Sequence, residues 1–133
     1  MARKIFVNLP IKDMARAQAF FGALGFSFNP QFTNEQGACM VISEGSNYAM
    51  LLAEPFFQGF TKKPIADAKK STEVLIALSC SSDQDVKDLV AKAGKSGGKP
   101  FREAKDHGFM YEHAFEDPDG HVWELVHMRG EPQ

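Results

Sequence analysis

The apolar residues near the start of the chain follow first the spacing of a strand and then that of a helix. Residues 4–9 predict a strand that ends at Pro10, because proline has no N–H to donate to a sheet. From residue 14 to 24 apolar side chains recur every three or four positions, and Asp13 before them is a typical helix N-cap. Gly25 favours the helix end. Alternating patterns then predict three strands, at residues 26–29, 38–43 and 48–53.

The same order of elements restarts near residue 73. Residues 73–80 predict a strand, Ser82 or Asp83 an N-cap, and Val86, Leu89, Val90 and Ala93 the apolar stripe of a second helix. Three more strands are predicted at residues 99–103, 109–115 and 121–127. Strand, helix and three strands therefore occur twice, at an offset of roughly seventy residues, which indicates an internal duplication. We predict an α+β fold in one domain, with tandem βαβββ modules at about 3–53 and 72–128.

Residues 54–71 join the two modules and have a different composition. They hold two prolines, one glycine and four lysines among aromatic side chains. We expect a linker without a strand or a long helix. Two interpretations remain open: the segment covers a site or crosses to a partner, or its aromatic residues only close the end of the core.

Each predicted module has one helix for four strands, so one face of each sheet lacks a helical cover. These faces must meet each other or a second subunit. We therefore expect a curved mixed sheet around a central cleft, and a homodimer. A cleft of this kind is a natural site for a small organic ligand.

Composition and charge narrow the classes of partner. The net charge is −2, which gives no general attraction to nucleic acid or to anionic membranes. The sequence has no run of 18 apolar residues and no signal-peptide pattern, so we expect a cytoplasmic protein without a membrane partner. Cys39 and Cys80 lie in apolar strand-like stretches and are interpreted as buried free thiols.

Two stretches resemble the opening and closing signatures of the vicinal oxygen chelate superfamily, the glyoxalase, bleomycin-resistance and extradiol dioxygenase group. The first is residues 7–14 (VNLPIKDM) with 19–21 (AFF) and 24–26 (LGF), and the second is residues 116–125 (EDPDGHVWEL). The resemblance covers nearly the whole chain and implies the fold of paired βαβββ modules. It implies no single reaction, because this superfamily includes isomerases, dioxygenases, thiol transferases and binding proteins.

Glu124 is the most informative single residue. Asp117-Pro118-Asp119-Gly120 predicts a type I turn, after which the strand alternation places Glu124 between Val122 and Val126 on one face. Trp123 and Leu125 make the other face apolar as well. A carboxylate here either points into a polar cleft or is costly to bury.

The resemblance implies four strand positions for metal ligands in the metal-dependent members. The last is Glu124, whereas the others correspond to Phe6, Leu75 and Leu51, or to Met50 or Leu52 if the alignment shifts by one residue. A catalytic metal site needs about three ligands from His, Asp, Glu or Cys. We therefore predict no cofactor and no metal site, and none of the four histidines is expected to be a ligand.

The predicted inward face is mostly apolar with a few polar points, which suits a small organic ligand. If Glu112 and Glu124 are both enclosed, one of them should have a raised pKa and serve as a general acid or base. Alternatively, either carboxylate pairs with a cationic ligand, or Glu124 is a structural residue and Glu112 a solvated one. The residues expected to contact the ligand are Phe6, Asn8, Leu51, Leu75, Glu112, Ala114 and Glu124, with Ala77 and Ser79 on the same face.

Three functions remain open. The first is a metal-free binding protein that holds a small molecule, with Glu124 as its polar anchor. The second is a glyoxalase-like lyase or isomerase of the lactoylglutathione lyase type, or a dioxygenase-related enzyme, with Glu124 as catalytic base or metal ligand. The third is a degenerate fold that serves protein–protein interaction.

Overall fold

The structure is a computed structural model and describes residues 2–130. The chain divides into two compact units with the boundary between Ala66 and Asp67, inside the predicted linker. The first unit contains a βαβββ module and the second the same order with one additional short strand; each has its own mixed sheet, and the predicted α+β class is confirmed.

The first unit contains a four-stranded sheet in the order β1-β4-β3-β2. Strands β1 and β4 are parallel, and the other pairs are antiparallel. A 3-10 turn at Pro30–Phe32 and a short helix α2 complete the unit. Its main elements are β1 (Ile5–Ile11), α1 (Met14–Ala23), β2 (Ser27–Phe28), β3 (Gly37–Ser43), β4 (Asn47–Ala53) and α2 (Glu54–Gln58).

The predicted ends of the first helix are confirmed. Asp13 is its N-cap, and its carboxylate accepts a hydrogen bond of 3.0 Å from the Arg16 N–H. Gly25 has φ of 101°, a left-handed conformation that glycine adopts at little cost. The apolar stripe of α1 packs on one face of the sheet, and the residues buried there include Leu9, Ile11, Phe20, Phe21 and Leu51.

The second unit contains a five-stranded sheet in the order β5-β9-β8-β6, with β7 also paired to β8. Strands β5 and β9 are parallel, and the remaining pairs are antiparallel. Its elements are β5 (Leu75–Ser79), α3 (Asp83–Lys95), β6 (Lys99–Pro100), β7 (Lys105–Asp106), β8 (Met110–Glu116) and β9 (Val122–Met128).

Ser82 is the N-cap of helix α3, and its hydroxyl accepts a hydrogen bond of 3.0 Å from the Asp85 N–H. Acidic residues lie in its first turn and lysines in its last, which complements the helix dipole. The helix contacts β6, β8 and β9, and its apolar stripe faces the core of the unit. The largest fully buried side chains of this core are Trp123, Phe115, Leu125 and Val86.

One predicted strand is shorter than expected. The predicted strand at residues 99–103 ends at Pro100, because Arg102 has φ of 52° and leaves the extended conformation. The following residues form the unpredicted β7. In the linker, residues 54–58 form the short helix α2, which contacts β1 and β4.

Two further expectations concern thiols and membranes. Cys39 and Cys80 are free cysteines, the first buried and the second half-buried. Burial raises the pKa of both thiols, that of Cys80 to about 11, so neither is a reactive thiolate near neutral pH. Within residues 2–130, none of the helices has the length and apolar character needed to cross a bilayer.

Candidate functional site

The face of the second sheet that α3 does not cover carries the predicted site residues of this unit. Strand pairing sets Glu124 on β9 between Ala77 on β5 and Ala114 on β8. Leu75 lies two residues before Ala77, and Glu112 two residues before Ala114, so both share this face. His113 pairs with Leu125 and has the opposite orientation. Glu112, Ala114 and Glu124 therefore lie on one face, as expected from the sequence.

Glu124 forms an ion pair with Arg102, a residue that was not predicted to lie at the site. The guanidinium of Arg102 donates from Nη2 to Glu124 Oε2 at 2.9 Å, and the same nitrogen is 3.5 Å from Glu112 Oε1. The three side chains are 29% (Arg102), 24% (Glu124) and 18% (Glu112) exposed. Glu124 is thus paired within its own unit, and partial burial strengthens this contact relative to a fully solvated ion pair.

Arg102 reaches the two carboxylates from an irregular segment between β6 and β7. Its φ of 52° is the only positive φ of a non-glycine residue within residues 2–130. The Nε2 atom of His113 lies 2.9 Å from the Arg102 carbonyl oxygen, and in the tautomer with a proton on Nε2 the ring donates to it. The guanidinium also lies over the Phe101 ring, 5.8 Å from its centroid. These contacts hold a conformation that is otherwise unfavourable for an L-residue.

His107 adds a fourth titratable group. Its Nε2 atom lies 3.6 Å from Glu112 Oε1. We call Arg102, His107, Glu112 and Glu124 the Arg102 cluster. The two carboxylates of the predicted pair share one face, and the Arg102 guanidinium contacts both and balances their repulsion. Pro100 is the sequence feature that could have indicated an irregular segment at Arg102, because a strand is less favoured to continue past a proline.

The turn before β9 fixes the start of the strand that carries Glu124. Asp117 is 5% exposed and accepts hydrogen bonds from Trp123 Nε1 at 3.1 Å and from the N–H groups of Asp119 and His121. Burial raises the pKa of this carboxyl, whereas the His121 charge and these hydrogen bonds act in the opposite direction. The predicted turn is therefore held by a buried carboxylate that binds both the turn backbone and Trp123 on β9.

An ion cluster fixes the other end of β9. Arg129 forms ion pairs with Asp83 at the start of α3 and with Asp106 on β7, the latter at 2.6 Å. His127 Nδ1 also lies 2.9 Å from Asp83 Oδ1. The Arg129 guanidinium lowers the pKa of Asp83 and lowers that of Asp106 to about 2. We call Asp83, Asp106, His127 and Arg129 the Arg129 cluster. It connects β7, which carries Asp106, to β9 and to the start of α3.

A cavity of about 300 Å³ lies beside the same turn. Lys69, Lys99, Glu116 and Pro118 are among the residues that line it, and an ion pair of 3.3 Å joins Lys99 to Glu116. Its lining includes no member of the Arg102 cluster. This cavity is therefore separate from the candidate site.

The first unit carries the remaining predicted residues. Phe6 and Asn8 share the face of β1 that α1 does not cover; Phe6 stacks on Tyr48, with ring centroids 5.0 Å apart. Leu51 is wrongly placed by the prediction, because it pairs with Leu9 on the helix-covered face and is fully buried. Met50 pairs with Asn8 and takes the expected position. A shift of one residue along a strand moves a side chain to the opposite face.

The residues present do not fit a metal ion. Of the four positions associated with metal ligands, Phe6, Met50 and Leu75 lack an oxygen or nitrogen donor, and Glu124 already binds a guanidinium. Residues 2–130 contain no group of three or more His, Cys, Asp or Glu side chains arranged to hold a metal. A divalent cation at Glu124 would have to displace Arg102, and the other three positions would add no ligand.

Comparisons with known proteins agree with this architecture. The family model for the N-terminal part of bleomycin resistance protein-like proteins matches residues 3–43. None of the curated proteins that were compared matches the chain.

Solved structures match over nearly the full length. A hypothetical protein from S. aureus is 26% identical, with 95% of this chain and 94% of that chain covered and a TM-score of 0.78. A glyoxalase-related enzyme from Fulvimarina pelagi is 19% identical, with coverage of 96% and 88% and a TM-score of 0.79. A glyoxalase/bleomycin resistance protein/dioxygenase family enzyme from Burkholderia phytofirmans is 16% identical, with coverage of 92% and 96% and a TM-score of 0.75. The fold and these similarities confirm the resemblance to the vicinal oxygen chelate superfamily and assign the chain to no subgroup of it.

Proposed function

We propose that this protein binds a small organic molecule on the open face of the second sheet, without a resident metal ion. Glu124 is the polar anchor of this site. The observation that carries the proposal is the Arg102 guanidinium 2.9 Å from Glu124, on a face whose neighbouring side chains are Leu75, Ala77 and Ala114. A few oriented polar groups on an apolar surface are typical of small-molecule sites.

The electrostatics of the face favour an organic ligand over a metal. Arg102 is a permanent cation and repels a divalent ion. The side chains of Leu75, Ala77 and Ala114 have no donor atoms with which to coordinate one. Leu75, which is 49% exposed, and the exposed Ala77 do offer apolar surface, whereas Ala114 is buried. Covering such surface with a ligand is favourable at about 25 cal/mol per Å².

Assembly into a homodimer is part of the same proposal. Large apolar side chains remain exposed on the edge strand of each unit: Phe6 is 51% exposed and Leu75 49%. A second copy of the chain would remove such surface from water. Phe6 and Asn8 lie on the open face of their own sheet, and their contact with a ligand stays a prediction.

A thermal-shift screen of small organic molecules tests the binding proposal. A ligand present at 100 times its dissociation constant stabilises the folded state by about 2.7 kcal/mol, which raises the unfolding midpoint measurably. We expect Glu124→Gln to remove the response to that ligand. The matched control is Glu116→Gln on β8, whose carboxylate pairs with Lys99 and which should keep the response.

Metal analysis of the purified protein tests the proposal that the site holds no resident metal ion. We expect far less than one equivalent of zinc, nickel, manganese or iron per chain, and no change in the unfolding midpoint after a chelator. One equivalent of a metal, lost in Glu124→Gln, would overturn the metal-free proposal and favour a metal-dependent lyase. An unaltered ligand response in Glu124→Gln would make Glu124 structural.

A further inference from the structure

We infer that the ligand of this site carries a cationic group, a protonated amine, amidinium or guanidinium on an apolar body, and that this group replaces Arg102 at Glu124. The inference rests on the proposed function and names its ligand class. In this view the Arg102 side chain occupies, in the free protein, the position of the ligand's own charged group.

The two sides of the ion pair differ in how firmly the fold holds them. Glu112 lies within β8 and Glu124 within β9, two strands that pair along their full length from residue 110 to residue 128. Their carboxylates are therefore fixed by the sheet. Arg102 belongs to the irregular segment between the two-residue strands β6 and β7. The anionic half of the pair is thus the permanent feature, and the cationic half is the replaceable one.

The contact that Arg102 makes is also incomplete. One nitrogen, Nη2, serves both carboxylates, at 2.9 Å and 3.5 Å. A guanidinium bound to a carboxylate through two parallel N–H donors is held more strongly than through one. A ligand amidinium that approaches in the plane of the Glu124 carboxylate would form both bonds.

The backbone of Arg102 is strained, unlike that of the paired strands that carry the two carboxylates. A φ of 52° is unfavourable for a residue with a side chain. The apolar residues next to Glu124 supply a surface for the uncharged part of the ligand. Leu75 and Ala77, both exposed on β5, present carbon atoms to the body of a ligand whose charged group lies on Glu124.

An anionic ligand is the competing possibility, since a carboxylate could bind Arg102. It would have to approach Glu124 and Glu112, two fixed negative charges, at the same place. Lys105 pairs with Glu112 across β7 and β8 and shares its face, but it is exposed and lies at the outer edge of the sheet. The fixed charges next to the apolar residues are therefore negative.

Three probes of the same shape and different charge test the inference: benzamidinium, benzamide and benzoate, titrated calorimetrically into the full-length protein. We expect benzamidinium to bind, and the neutral and anionic probes to bind at least about tenfold more weakly, because only the cation forms charge-assisted bonds to Glu124. Arg102→Ala should tighten benzamidinium binding about five- to tenfold, because the competing internal cation is removed. Glu124→Gln should weaken it by at least about tenfold.

Two further variants keep the test interpretable. Arg102→Gly removes the guanidinium and tolerates a positive φ, so it should reproduce the gain if Arg102→Ala folds poorly. Lys99→Ala removes a nearby surface cation, one that pairs with Glu116, and should leave benzamidinium binding unchanged.

The inference is overturned if benzoate binds more tightly than benzamidinium and loses affinity in Arg102→Gly. It is also overturned if neither Arg102 variant changes benzamidinium binding. A different compound that stabilises the protein through Glu124, while benzamidinium fails to bind, would refute the cationic ligand and leave the proposed function standing. Failure of the whole ligand screen would refute both.

Discussion

The imidazole of His113 and the backbone carbonyl of Arg102 lie 2.9 Å apart, across eleven residues of sequence. His113 has the orientation of the core face, whereas Arg102 extends over the opposite face to Glu124. The hydrogen bond therefore connects the two faces of the sheet at its edge. It holds the segment that delivers the guanidinium, and it gives the first prediction.

Loss of this bond should loosen Arg102 without removing it. His113→Ala is expected to lower the free energy of unfolding by about 1 kcal/mol, the usual net contribution of one hydrogen bond. Urea denaturation measures the loss, and His113→Gln, which retains an N–H donor, should recover part of it. Equal stabilities of the wild type and His113→Ala would show that the bond contributes nothing.

The conformation of Arg102 gives a second prediction. Arg102→Gly and Arg102→Ala remove the same ion pair, but only glycine adopts φ of 52° freely. Arg102→Gly should therefore be the more stable of the two by about 1 kcal/mol in urea denaturation. If the alanine variant is equally stable, the segment has relaxed away from positive φ once the ion pair is gone.

The Arg129 cluster predicts a stability that depends on pH. The guanidinium lowers the pKa of Asp106 from 3.8 to about 2, so the folded state favours the ionised carboxylate. This contribution is present above pH 4 and is lost as the pH falls through the range from about 4 to about 2. Urea midpoints measured across that range should fall less steeply in Asp106→Asn than in the wild type. Glu103→Gln, at an exposed carboxylate of the same segment, serves as control, and identical slopes for Asp106→Asn and wild type would contradict the prediction.

Asp117 predicts a large loss on truncation. Asp117→Ala leaves the Trp123 Nε1–H and two backbone N–H groups of the turn without their acceptor. Buried donors without a partner cost about 1–3 kcal/mol. Trp123 is the only tryptophan of the chain, so its fluorescence reports unfolding directly. Asp117→Asn retains one acceptor oxygen and should be intermediate; an unchanged midpoint in Asp117→Ala would show that water replaces the carboxylate.

The proposed homodimer gives the last prediction. Sedimentation at micromolar concentration should show two chains, and Phe6→Glu should shift the protein toward the monomer, because Phe6 is 51% exposed on an edge strand. Phe32→Glu makes the same change at an exposed site in the 3-10 turn and should leave the assembly intact. A monomeric wild-type protein would contradict the proposal.

Local sequence patterns were sufficient to predict much of the fold and the two carboxylates of the Arg102 cluster. The caps at Asp13 and Ser82 follow from their side chains, and the two-residue period places Glu112 and Ala114 on the face of Glu124. Leu51 was assigned to the wrong face because alignment to within one residue cannot determine the parity of a strand. The correct placement of Glu112 and Ala114 and the wrong placement of Leu51 both depend on side-chain alternation along a strand.

Arg102 could not be predicted in this way. It meets Glu124 across 22 residues, and its delivery depends on a left-handed backbone conformation at a non-glycine residue. Such a conformation is set by tertiary contacts, here the bond from His113, and leaves no local pattern. The strand predicted at residues 99–103 concealed it, because an extended chain would direct the side chain elsewhere.

The turn at Gly120 limits where the chain can vary in length. A Cβ atom at this position would lie 2.8 Å from the backbone nitrogen of Lys69, so the end of the linker rests directly on the turn. Natural insertions or deletions in related sequences should therefore concentrate upstream of residue 67. A side chain at position 120 would push residues 68 and 69 away, although about fifty residues separate them from Gly120 in sequence.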